Sequence, residues 1–148
     1  MKSELHQKLQ DRAMDYLLAK SYWVKVIEMP TPMGIIDVWG LSRQKDFNTM
    51  AIEVKVSRSD FRSNSQKFKN QVAHLIANEC YILCPEGLIR PEEVNENWGL
   101  LWYGEGKRLM NKKKPRFMEM DDRQKLKIMI RFLSSGINQP KKLTFPNK

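Results

Sequence analysis

Two apolar, strand-like runs in this chain are each interrupted by charge. Ile35-Ile36-Asp37-Val38-Trp39 carries a carboxylate, and Ala51-Ile52-Glu53-Val54-Lys55-Val56 carries a carboxylate and an ammonium. Burying an isolated charge is expensive, so a fold that uses both runs has to supply partners for these groups. Period-two alternation sends Ile52, Val54 and Val56 to one face and Glu53 with Lys55 to the other. If the two strands pair, Asp37 comes within reach of that charged face. The plainer reading of Glu53 and Lys55 is an ion pair on the solvent side of an amphipathic strand.

The surrounding pattern supplies the rest of a fold. Ser3 is a good N-cap, and Leu5, Leu9, Ala13, Tyr16 and Leu17 make one apolar face of a helix ending near Lys20, with Glu4, Lys8, Asp11 and Asp15 beside it. Strands are expected at residues 23–28, 34–41 and 49–57, the first two separated by Pro30 and Pro32. A second helix over residues 65–77 has Phe68, Val72, Leu75 and Ile76 as its apolar stripe, and a strand follows at 79–84. The order helix, three strands, helix, strand predicts an α/β domain, an αβββαβ core with a central mixed sheet flanked by helices. Short strands are expected at 99–103 and 107–110, then a last helix starting at Asp121 and Asp122 that buries Leu126, Met129, Ile130 and Leu133. Residues 1–110 thus form the core, and residues 111–148 a basic C-terminal extension with a helix, packed on or following it.

Composition narrows the partners. A chain of 148 residues suits one domain, and its net charge of +9 raises the local concentration of polyanions, with nucleic acid the natural partner and solubility or an anionic membrane surface the plainer readings. No run approaches the roughly 20 apolar residues of a membrane span and no apolar signal segment opens the chain, so a cytoplasmic protein without membrane association is expected. Cys80 and Cys84 would stand about 13 Å apart on one strand, beyond disulfide reach, and two thiols are too few for a structural zinc site. Both are read as core thiols. His6 and His74 lack the partners of a known metal motif and receive no chemical role.

Two carboxylates and a lysine on neighbouring strands have a specific use. Mg²⁺ keeps several waters and needs only one or two protein carboxylates beside phosphate oxygens. Such an ion polarises a phosphodiester and lowers the pKa of its water, while Lys55 would orient the attacking water or offset developing negative charge. Mn²⁺ is expected to substitute.

Asp37 followed by Glu53-Val54-Lys55, in the αβββαβ order, resembles the core of the PD-(D/E)XK nuclease superfamily. Gly34-Ile35-Ile36-Asp37 replaces the strict Pro-Asp of that pattern. More narrowly, Ile52-Glu53-Val54-Lys55-Val56-Ser57-Arg58-Ser59-Asp60-Phe61, then Tyr81-Ile82-Leu83-Cys84-Pro85-Glu86-Gly87 and Trp98-Gly99-Leu100-Leu101, resembles the MmcB-like DNA-repair nuclease family. The likeness spans about residues 20–110, with 55–61 its more distinctive part. It implies a restriction-endonuclease-like fold and a Mg²⁺-dependent deoxyribonuclease of repair, recombination or mobile-element DNA processing. It further implies Asp37 and Glu53 as metal ligands, Lys55 as the catalytic lysine and the Val54 backbone carbonyl as a further metal contact. Many superfamily members add a first-helix glutamate, for which Glu4 is the nearest candidate.

Other residues are candidates for holding nucleic acid. Arg58 lies just beyond the catalytic strand, and Lys67 and Gln71 stand one turn apart on the second helix. Lys112, Lys113, Lys114 and Arg116 form a basic cluster suited to phosphates. Loop organisation and solvated surface are their plainer roles. Trp39 and Trp102 are candidates for base stacking, with core packing the commoner fate. A homodimer is compatible with the chain, although no residues mark an interface. The competing functional class is a non-catalytic nucleic-acid-binding module that keeps the nuclease fold.

Overall fold

In the computed structural model, residues 2–44, 46–135 and 143–144 are described, with the backbone alone for Lys107, Ser135, Leu143 and Thr144. Helix α1 (Glu4–Ala19) starts where expected, Ser3 Oγ accepting the His6 N–H at 3.0 Å. Its buried line is Leu9, Ala13 and Leu17 together with His6 and Gln10. Leu5 and Tyr16, expected on that face, are exposed and half-buried respectively, because the phase set by residues 9, 13 and 17 rotates them outward.

Strands β1 (Val24–Thr31), β2 (Gly34–Ser42) and β3 (Asn48–Val54) follow. Pro30 lies inside β1, opposite Ile35, instead of ending it. It is tolerated there because, among the described residues, β1's outer neighbour pairs with Lys25 and Val26 and not with Pro30, so no second ladder there calls for a backbone donor. The β1–β2 hairpin closes at Gly34, whose φ of +113° is costly for any residue with a Cβ. β3 stops at Val54, short of the expected Ser57, since Ser57 caps the four-residue helix α2 (Arg58–Phe61).

Helix α3 (Asn64–Gln71) and a 3-10 turn at Ala73–Leu75 replace the single helix expected over 65–77. They form the crossover to β4 (Glu79–Pro85), which lies parallel to β3. Strand β5 (Trp98–Tyr103) is parallel to β4, and β6 (Leu109–Lys113) returns antiparallel. With α4 (Asp122–Ser135) and the two-residue β7 (Leu143–Thr144), the sheet order is β6-β5-β4-β3-β2-β1-β7. The chain is therefore, as expected, an α/β domain with a central mixed sheet flanked by helices, with α2 and β7 added to the expected elements.

Alternation divides the sheet into two apolar layers. Val38, Ile52, Val54, Leu83 and Leu101 pack with α1, while Trp39, Ala51, Ile82 and Leu100 pack with Ala73, Ile76, Ile128 and Phe132. On α4 the buried residues are Ile128 and Phe132, and Leu126, Ile130 and Leu133 are exposed, against expectation. Apolar residues line two sides of that helix, so periodicity does not choose between them; the sheet takes the side carrying the bulkier Phe132. Cys80 and Cys84 are buried free thiols, as expected. Trp39 is a core residue whose indole N–H donates to the Ile76 carbonyl at 3.0 Å, which removes it from base stacking.

The division at residues 110 and 111 falls inside β6, and Met118 and Met120 lie in the same apolar layer as the sheet. Within the expected extension, residues 111–113 belong to β6 of the sheet and Ile128 and Phe132 of α4 join the same apolar layer; after Ser135 it lies outside the described residues except for 143–144. Among the described residues, no helix is long and apolar enough to cross a membrane.

One buried amide ties this segment to the sheet. Asn78 Oδ1 accepts the Thr49 N–H at 2.9 Å, and Asn78 Nδ2 donates to the Met118 carbonyl at 2.8 Å. Replacement by alanine strands a buried donor and a buried acceptor. Asn78→Ala should therefore lower the unfolding free energy by about 2–4 kcal/mol, read as a lower urea midpoint with an unchanged slope.

Candidate active site

The β2–β3 ladder ends at Val38 opposite Ile52, one residue before Asp37 meets Glu53. Beyond that point side chains take over the role of backbone carbonyls. The Asp37 N–H donates to Glu53 Oε1 at 3.3 Å, and the Val54 N–H donates to Asp37 Oδ2 at 2.8 Å. On the other side of β2, pairing with β1 skips Glu28, whose φ is +54°, although Ile27 and Met29 stay in register with Val38 and Ile36. Gln10 on α1 reaches in to donate to the Asp37 carbonyl at 2.9 Å. The strands thus part around Asp37, and the gap is bridged by polar side chains.

The charged face expected from alternation is present. Glu53 and Lys55 are 3% and 5% exposed and line one pocket with Asp37, Lys55 Nζ lying 3.9 Å from Glu53 Oε2. The cavity is about 530 Å³ and opens between the starts of α1 and α3, with Ser3 and Ser63, the two N-caps, on its wall. A second buried lysine, Lys69 of α3, donates to the Ile35 carbonyl at 2.8 Å and to Glu53 Oε1 at 3.2 Å. Asp37 Oδ1 accepts from Lys2 Nζ at 3.0 Å; His6 Nε2 stands 3.6 Å away, beyond good hydrogen-bond length.

These surroundings drive the two carboxyls apart. Burial pushes the Asp37 carboxyl up, but His6, the Val54 N–H and the Lys2 ammonium outweigh it and hold the group well below the usual carboxylate range. For Glu53, burial and then the charge of Asp37 prevail over Lys69 and Lys55, and its pKa is pushed up to about 7. Asp37 is thus anionic at neutral pH while Glu53 is poised to gain or lose a proton.

Several expected site residues lie elsewhere. Glu4 is exposed in a separate groove with Gln7, Lys8 and Asp11, because the phase of α1 turns His6 and Gln10 toward Asp37 instead, and Lys2 reaches the same carboxylate from before the N-cap. Lys67 and Gln71 are exposed and outside the pocket; α3 turns Lys69 inward and leaves Phe68 half exposed, so the apolar stripe expected there misplaces the helix. Arg58 is engaged with Glu93 and the Leu88 carbonyl, a contact that ties the start of α2 to the loop between β4 and β5. Val54 is among the residues that line the pocket.

The basic cluster sits at the far edge of the sheet, three strands from β3. Lys113 donates to the Val94 and Asn95 carbonyls, Lys112 lies 4.9 Å over the Trp102 ring, and Arg116 is 3.9 Å from Glu96. Lys114 is exposed. Lys2, His6, Gln10 and Lys69 are the site residues that the sequence reading passed over; His6 and Gln10 share a four-residue spacing that places them on one helical line, and Lys2 precedes the N-cap.

The donor set suits a hard cation bound with few protein ligands. Among the described residues no group of three or more His, Cys, Asp or Glu side chains is placed to hold a metal, which does not fit a closed zinc site. Asp37 and Glu53 both line the pocket with Val54, and two carboxylate ligands would suffice for Mg²⁺ completed by water and phosphate.

A linkage prediction follows from Glu53. Its folded-state pKa of about 7 exceeds the ordinary 4.5, so between those values the folded protein holds a proton that the unfolded chain has released. That contribution to stability is present at low pH and is lost as pH rises through 7, whereas Asp37 contributes above its ordinary pKa and ceases to as pH falls. In EDTA, Glu53→Gln should be the more stable protein at pH 8, by on the order of 2–3 kcal/mol, with the difference shrinking toward pH 5 in urea titrations.

A solved protein of unknown function from Silicibacter pomeroyi is similar in structure, with a TM-score of 0.70 at 18% identity, covering 95% of this chain and 96% of its own. That likeness concerns the fold: the same α/β arrangement in a second sequence. No family model and no curated protein matches the chain.

Proposed function

We propose that the chain is a Mg²⁺-dependent deoxyribonuclease centred on Asp37, Glu53 and Lys55, of the PD-(D/E)XK kind and most like the MmcB-like family. The observation that carries this reading is the pair of buried carboxylates joined across parted strands, with a buried lysine on the same pocket wall. A structural ion pair does not need two acids placed close enough for one to raise the other's pKa.

Asp37 and Glu53 would hold the ion, with the Val54 carbonyl beside them. When bound, Mg²⁺ supplies Lewis-acid polarisation of a phosphodiester and a water of lowered pKa. Lys55 presents its ammonium to the reacting phosphate and offsets the negative charge that builds there. Lys69 holds Glu53 from behind through Oε1, which leaves Oε2 turned toward Lys55. The N-termini of α1 and α3 open on the pocket and add positive potential where a phosphate would sit. The net charge of +9 favours the approach of the polyanion as a whole.

Lys112 and Lys114 remain candidates for contacts to phosphates outside the active pocket, whereas the partners of Arg58, Lys113 and Arg116 favour structural roles for them. The test is cleavage of linear, nicked, branched and single-stranded DNA, with RNA controls, in Mg²⁺, Mn²⁺ or EDTA. Cutting should need the metal, and Glu53→Ala or Lys55→Ala should reduce it by about 100-fold or more while binding persists. Undiminished cutting by those variants would refute the assignment. Binding of every substrate without cutting would favour the non-catalytic module.

A further inference from the structure

Three lysines converge on the pocket, and one differs from the other two. Lys55 and Lys69 are nearly enclosed, and Lys69 is tied to both Glu53 and Ile35. The Lys2 side chain is 31% exposed and reaches in from the residue before the α1 N-cap, its Nζ lying 3.0 Å from Asp37 Oδ1 and 3.5 Å from Glu28 Oε1. Asp37 Oδ2 is committed to the Val54 N–H, so Oδ1 is the oxygen left for a metal ion. Lys2 stands on that oxygen.

We propose that Lys2 is an exchangeable counter-ion: it neutralises Asp37 while the metal is absent, and contacts a substrate phosphate once a divalent cation takes its place. This rests on the reading of Asp37 as a metal ligand. Two cations at one carboxylate oxygen repel each other, and a divalent ion outcompetes an ammonium for it. The displaced side chain has four methylenes of reach and one open side. It starts at the pocket wall beside Ser3, where the α1 N-terminus already favours anions. A static ion pair at the surface would instead contribute the same small stabilisation with or without metal.

The proposal gives Lys2 opposite effects on two affinities, which loss of folding cannot imitate. Mn²⁺ binding by calorimetry compares the wild-type chain with Lys2→Met and Asp37→Asn. DNA binding by fluorescence anisotropy compares Lys55→Ala with Lys2→Met/Lys55→Ala, in Mn²⁺ and in EDTA, using labelled single- and double-stranded oligonucleotides. Lys2→Met should bind Mn²⁺ about 5- to 10-fold more tightly, while the double variant should bind DNA about 5-fold more weakly in Mn²⁺ and unchanged in EDTA. Lys2→Arg should restore the DNA affinity. Unchanged or weaker Mn²⁺ binding by Lys2→Met would overturn the competition, and equal loss of DNA affinity in both buffers would reduce Lys2 to general surface charge. If the wild-type chain binds no Mn²⁺, or Asp37→Asn binds it as well as the wild type, the assignment of the metal site fails and the proposal falls with it.

Discussion

The hydrogen bonds that cross between Asp37 and the Glu53–Val54 segment are the constraint on which the site depends. A ladder that continued one more residue would satisfy its backbone groups internally and leave both carboxylates to neutral pairing. Here the ladder stops, and the N–H groups of Asp37 and Val54 turn to carboxylate oxygens instead. The gap this opens is filled by His6 and Gln10 of α1, Lys69 of α3 and Lys2 from before the α1 N-cap. Burial of charge at the end of a strand pair is thus both the cost of the arrangement and the source of its chemistry.

The same interactions account for the electrostatic division of labour. Asp37 has donors on both oxygens and stays ionised, while Glu53 sits deeper, opposed by Asp37 and only partly relieved by two lysines. Two acids so close cannot both be comfortable as anions without a cation between or beside them. Lysines meet that need in this structure, and in the proposed nuclease a divalent ion would meet it.

The legible part of the site was the part set by strand periodicity. Alternation along β3 is strict, so Glu53 and Lys55 had to share a face, and β2 was the natural neighbour to bring Asp37 beside them. Helical residues were harder because helix phase is fixed by packing. On α1, the resemblance points to Glu4, yet Leu9, Ala13 and Leu17 set a phase that turns it to solvent and brings in His6 and Gln10. On α3, Phe68 suggested an apolar face that the fold does not use, and the turn toward Glu53 brought in Lys69 rather than Lys67. Leu126, Ile130 and Leu133 misled for α4 in the same way, with Ile128 and Phe132 taking the sheet. Strand order and the C-terminal packing through Asn78 are long-range facts with no local signature.

The central claim is that Asp37 and Glu53 together hold one divalent cation. Its most direct test is calorimetric Mg²⁺ binding in buffers of differing ionisation enthalpy, which counts the protons released. Because Glu53 has a pKa near 7, binding at pH 6 should release about one proton, falling toward none at pH 8.5, and Glu53→Gln should abolish the release. Mg²⁺ binding without proton release at pH 6, or with release unchanged in Glu53→Gln, would contradict it.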